Sequence, residues 1–251
     1  MLDITLYPNS AEGEVNEVKG YIKDALTGEG IPDAKINVKE GGYWRDKIED
    51  IVFEEGDIIQ TVKTDLDGKY SLELPSGYYT IEIVKDGYIT SYMEIVSVPY
   101  IGVQSIAISP ELNSDEYRIV LTWGERPWDL DSHLYVTKQG EELFHVCYWN
   151  MTHYEDGEIV AQLDIDDTWS EGPETVTVAV DKELKYQYYV QDYTNGGNLS
   201  SMELSLSGAN VQVYNGERLI KSYNVPMNEK GTRWNVFEIM DGKIVDSNVI
   251  S

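Results

Sequence analysis

Two acidic runs carry the densest chemistry in the chain: Asp129-Leu130-Asp131-Ser132-His133, and Asp164-Ile165-Asp166-Asp167 followed by Glu171 and Glu174. In extended backbone successive side chains point to opposite faces, so Asp129, Asp131 and His133 are expected on one face, opposite Leu130 and Leu134. The same period sets Asp164 beside Asp166, with Leu163 and Ile165 turned inward. If the two runs are neighbours, Asp129, Asp131, Asp164, Asp166 and Asp167 supply the oxygens that a hard cation such as Ca²⁺ collects at about 2.3–2.6 Å. His133 is an unusual ligand for such an ion and is expected instead to orient a carboxylate or bond a strand. The runs do not have the spacing of a twelve-residue helix-loop-helix calcium loop. The competing reading is a set of acidic turns whose side chains cap backbone amides.

Aromatic residues flank both runs. Trp128 precedes the first and Trp169 follows the second. An exposed indole offers a π face to the apolar CH face of a sugar ring, while neighbouring polar groups read its hydroxyls. Trp128, Trp169, His133, Glu171 and Glu174 are therefore candidate ligand-binding residues, with burial as corner plugs the alternative for each tryptophan.

Catalysis finds little support. Paired carboxylates serve glycoside hydrolysis as acid and base, but acids saturate this chain, and a small sandwich offers no evident deep cleft. There is no GxSxG, HExxH or phosphate loop, and His133, His145 and His153 have no matching nucleophile arrangement. The single cysteine, Cys147, rules out an internal disulfide, a four-cysteine zinc site and a CxxC pair. Between Val146 and Tyr148 it is expected to be a small buried residue.

The charge balance narrows the partners. Forty-five acidic residues against 19 basic ones give a net charge of −26 over 251 residues. A polyanion such as nucleic acid is repelled, and no basic stripe is present to release its counterions. No stretch approaches the roughly 18 apolar residues of a membrane span, and the first residues lack the pattern of a signal peptide. A leader and an anchor, if the native protein is exported, are expected outside this chain.

Short runs of alternating apolar and polar residues, bounded by Gly, Pro, Asn and Asp, dictate an all-β chain. Strands are expected at 18–24, 34–38, 70–74 and 79–83. Others follow at 117–123, 133–137, 143–148, 174–180, 186–191, 211–214, 219–224 and 234–239. Asp65-Leu66-Asp67-Gly68, Asn215-Gly216 and Asp241-Gly242 supply tight turns. Residues 44–53 are the best helical candidate. The segment ISPELNSDE at 108–116 has linker composition, so two β-sandwich domains in tandem are expected, 1–110 and 111–251.

The segments VKGYIKDALTGEGIPDAKINV and TVKTDLDGKYSLELPSGYYTIEIVKDGYI resemble the carboxypeptidase regulatory-like domain, a prealbumin-like sandwich. The likeness covers about 14–109, with an insertion near 41–57. It implies a stalk, spacer or recognition module and brings no catalytic residues. RIVLTWGERPWDLDSHLYV, DIDDTWSEGPETVTV and GANVQVYNGERLIKSYNVP resemble the YfaP-like group of bacterial exported domains. Together these resemblances imply a non-enzymatic, secreted or cell-surface bacterial module pair, joined to other domains of a larger surface protein. The functional choice lies between a structural or adhesive spacer stiffened by calcium and a carbohydrate-binding module that targets polysaccharide.

Overall fold

The computed structural model describes residues 13–41, 57–99, 102–113 and 115–251. The helical candidate at 44–53 lies outside them. Two compact units are present. One gathers the described residues of Met1–Ile22, Glu29–Asp86 and Thr90–Ile106; the other gathers Lys23–Gly28, Gly87–Ile89 and Ala107–Ser251.

The first unit holds β1 (Val15–Asp24) as far as Ile22, β2 (Lys35–Glu40), β3 (Ile58–Lys63), β4 (Lys69–Pro75), β5 (Gly77–Val84), β6 (Ser91–Ser97) and the first residue of β7 (Ile106–Ile108). Their sheet orders are β3-β2-β5-β6 and β4-β1-β7. Along β4, Tyr70, Leu72 and Leu74 are buried while Lys69, Ser71 and Glu73 are exposed, so strict alternation selects the core face. The turn that launches β4 is held by Asp65, whose carboxylate accepts the amides of Asp67 at 3.0 Å and Lys69 at 2.8 Å. Gly68 sits there at φ +75°, and a Cβ would lie 2.6 Å from the backbone of Gly30 and Ile22, so both conformation and space require glycine. Gln104 extends the pairing of β6: its side-chain amide bonds both the N–H and the C=O of Val96 at 2.9 Å.

The second unit is a two-sheet sandwich. Its strands are β8 (Glu116–Thr122), β9 (Leu130–Lys138), β10 (Glu141–Val146), β11 (Thr152–Glu155), β12 (Glu158–Ile165), β13 (Glu174–Ala179), β14 (Lys185–Asp192), β15 (Asn210–Asn215), β16 (Arg218–Asn224), β17 (Arg233–Met240) and β18 (Lys243–Ile250), with one short helix, α1 (Glu203–Leu206). One sheet runs β10-β9-β14-β17-β18 and the other β11-β12-β13-β8-β15-β16. Leu134, Tyr188 and Trp234 from the first meet Leu121, Val176 and Val211 from the second in one buried cluster. Alternation in the sequence does not single out β11 or β18, which are edge strands with much of their surface in water. β12, one strand in, does alternate and buries Ala161 and Leu163 in the core. Among the described residues, no helix is long and apolar enough to cross a membrane.

The burial pattern predicts unequal sensitivity. Leu134→Ala, which empties a fully buried site, is expected to cost about 2–5 kcal/mol in urea denaturation. Leu66→Ala, at a turn position 87% exposed, is expected to stay within about 0.5 kcal/mol of the parent.

Candidate functional site: a buried carboxylate cluster

The site begins with the register of β9, which pairs with β10 on one side and β14 on the other. Leu130, Leu134 and Val136 face the core, which sends Asp131, His133 and Tyr135 to the outer face of the sheet. Asp129 stands just before the strand, its amide donating to Thr194 Oγ1 at 3.0 Å. Glu174 opens β13 in the opposite sheet, paired with Leu121. Its carboxylate reaches across to accept the Ser132 amide at 2.5 Å. A single acidic side chain thereby ties the first residues of β13 to those of β9.

Asp129, Asp131 and Glu174 each present a carboxylate oxygen within 4.8 Å of the others. Asp166, in the loop after β12, adds a fourth acid beside Glu174. One oxygen on each of the four is buried without a hydrogen-bond partner: Asp129 Oδ1, Asp131 Oδ2, Asp166 Oδ1 and Glu174 Oε1. Glu174 is fully buried and Asp131 is 3% exposed.

Burial, and then the neighbouring charges of Asp166, Asp167 and Asp192, pushes Asp129 up to about 6. Burial followed by Asp129 and Asp166 lifts Asp131 to about 7. Burial, then contact with Asp166, holds Glu174 well above the usual carboxylate range. The charges that act most strongly on these three groups are those of neighbouring carboxylates. Such a constellation either keeps protons or takes a cation.

The remaining residues singled out in the sequence separate. Asp164 is not part of the cluster, contrary to its expected place beside Asp166. The β12–β13 register shifts between Leu163 and Ile165, so the period of two breaks at the residue it was used to orient. Asp164 instead accepts from Thr177 Oγ1 at 2.6 Å, and Thr177 in turn accepts from Arg118 Nε at 3.1 Å. Asp167 caps the amide of Trp169 at 2.9 Å and acts on the cluster only through its charge. Glu171 is turned to Lys23, 4.0 Å away. His133 does not orient a carboxylate; its Nδ1 lies 2.9 Å from His145 Nε2.

Trp128 and Trp169 pack edge to face with centroids 6.2 Å apart, and Arg126 covers Trp128 at 4.2 Å. They are 42% and 78% exposed, so neither is a core plug. Ser170, Glu171 and Gly172 follow with positive φ in succession, an unusual backbone run between Asp166 and Glu174. Glu174 was grouped in the sequence with sugar-reading residues, whereas the structure sets it among the acids. The signal that marks it is the buried start of a strand, which alternation alone does not reveal.

Residues 17–109 match the model of the carboxypeptidase regulatory-like domain. No curated protein matches the chain. Among solved structures, the chain is similar to a protein of unknown function at 14% identity, covering 56% of this chain and 94% of that one with a TM-score of 0.39. It is also similar to a DUF3823 family protein from Bacteroides ovatus at 13% identity, covering 71% and 90% with a TM-score of 0.28. BcpA, the major pilin subunit of Bacillus cereus, aligns at 12% identity over 84% of this chain and 67% of its own, with a TM-score of 0.30.

The raised carboxylates fix the sign of a pH effect. Groups whose folded pKa lies above the ordinary value near 3.8 favour the fold fully below that value and lose their contribution as pH rises through the folded pKa. In chelator, urea stability of the protein is therefore expected to fall between about pH 4 and pH 7. The Asp131→Asn variant, lacking one of these titrations, is expected to fall less steeply.

Proposed function

We propose that this chain is a non-catalytic module pair of an extracellular or cell-surface bacterial protein, and that its second unit is stiffened by Ca²⁺ held by Asp129, Asp131, Asp166 and Glu174. The observation that carries the metal reading is the set of four buried carboxylate oxygens without partners, drawn from three separate segments. Oxygen-only donors with a large surplus of negative charge suit a hard divalent ion, and the coordination of Ca²⁺ accommodates irregular ligand sets completed by carbonyls or water. Neutralising the cluster would fix the loop from Asp166 to Glu174 to the start of β9. The match of residues 17–109 to the regulatory-like domain model supports a spacer or recognition module, with residues 111–251 a YfaP-like partner. Such a pair would join other domains of a longer polypeptide.

Calorimetry and thermal melting test the metal. Ca²⁺ at a hundred times its Kd is expected to add about 2.7 kcal/mol of stability, and Glu174→Gln to remove the response. Asp164→Asn, outside the cluster, is expected to retain it. An unchanged melting midpoint with and without EDTA overturns the calcium reading.

A second reading, polysaccharide binding, draws on the exposed Trp128 and Trp169 pair beside the acidic cluster. Retention on an insoluble polysaccharide that is lost in Trp169→Ala supports it. Absence of retention on any glycan of a broad array sets it aside.

A further inference from the structure

A second cluster of donors lies on the outer face of the β9 sheet, and its chemistry is different. β9 and β10 pair with Tyr135 opposite His145 and Leu134 opposite Val146. Because Leu134 and Val146 point into the core, the intervening residues His133, His145 and Cys147 share the outer face. Each offers one ligand atom, and the three atoms lie within 4.8 Å of one another. His133 is 3% exposed and Cys147 fully buried.

Three features mark this group as more than packing. First, His133 Nδ1 and His145 Nε2 stand 2.9 Å apart, so one proton at most serves the contact, and His133 Nε2 remains buried without a partner. Second, Cys147 opens a turn closed by reciprocal backbone bonds with Asn150 at 3.3 and 2.9 Å. Burial pushes the Cys147 thiol up to about 11, and within that turn the amides of Trp149 and Asn150 point at the sulfur and offset part of that rise. Amides directed at a cysteine sulfur stabilise the thiolate, the form that binds metals. Third, Tyr189 stacks on His133 at 4.6 Å and 4°, and Trp149 lies 5.4 Å from His133 and 5.3 Å from His145, which walls the donors with aromatic rings.

We propose that His133, His145 and Cys147 form a binding site for a borderline or soft transition-metal ion, Zn²⁺ or Cu⁺, separate from the carboxylate cluster. Two imidazoles and one sulfur, with no carboxylate among them, favour such ions over Ca²⁺ or Mg²⁺. On binding, the S–H bond of Cys147 breaks, its proton leaves to solvent, and the sulfur lone pair forms the metal bond; no oxidant or reductant is consumed. Three protein ligands complete a trigonal Cu⁺ site, or leave a fourth position for water on tetrahedral Zn²⁺. The Asp131 and Glu174 carboxylates raise the Cys147 thiol further; the same negative charge attracts the cation whose binding displaces that proton.

The test uses the whole chain, stripped of transition metals and kept reduced, with excess Ca²⁺ present so that carboxylate binding does not contribute. Co²⁺ titration, as a coloured stand-in for Zn²⁺, is expected to give one equivalent of uptake with a sulfur-to-metal charge-transfer band, displaced by Zn²⁺. Cu⁺ is offered anaerobically in competition with a coloured chelator and is likewise expected to bind at one equivalent. Cys147→Ser is expected to abolish the band and weaken binding about a hundredfold or more. The half-buried His145→Gln is expected to weaken it comparably and serves if the cysteine variant does not fold. The proposal is overturned if neither ion binds stoichiometrically below millimolar concentration. It is equally overturned if folded His145→Gln binds as tightly as the parent.

Discussion

The second unit depends on four carboxylates brought together at the start of β9, where the charges acting on them are chiefly one another's. Burying a charge is costly unless it is paired, and the surrounding structure holds these acids in place. Thr194 pins Asp129, the first residue of β13 is Glu174 itself, and the Ser132 amide anchors its carboxylate. The pKa values of Asp129, Asp131 and Glu174 rise because desolvation and neighbouring acids act in the same direction. A binding site for a hard cation has this electrostatic character before the cation arrives.

The same unit shows how a buried acid is otherwise treated. Asp164 and Arg118 share Thr177, and Arg118 also donates to Ser109 Oγ and the Pro110 carbonyl. That network satisfies its members and needs no ligand. The contrast between Asp164, which has partners, and Asp166, two residues away with a buried oxygen lacking one, separates a structural acid from a candidate ligand. Both belong to one short sequence run, so composition cannot make the distinction.

Much of the fold was legible because alternation and turn chemistry are local. Tyr70, Leu72 and Leu74 announce β4, and Asp65 through Gly68 announce the turn before it, since each pattern is set by neighbours in the chain. β11 and β18 were not legible because, at sheet edges, their faces are largely solvated and carry no strong alternation, whereas β12 was legible only from Leu163 to Ile165 although Ala161 also lies in the core. The candidate site was half legible. Asp129, Asp131 and Asp166 stood out as acids beside strand patterns, whereas Asp164 was misplaced by a bulge. Cys147 reads from its neighbours as a small buried residue, and its depth agrees; its two histidine neighbours are a product of strand pairing.

By itself, the sequence determined the all-β class, the turns, the acidic surplus and the two acidic runs, because these follow from local periodicity and residue chemistry. Only the tertiary structure decided which acids meet, by pairing β9 with β10 and β14 and by carrying Glu174 across from the other sheet. It also decided that His133 turns to His145 and Cys147, not to the carboxylates. The physical reason is register: one bulge or one shift in pairing moves a side chain to the opposite face of a sheet, and register is set by contacts between segments that are distant in the chain.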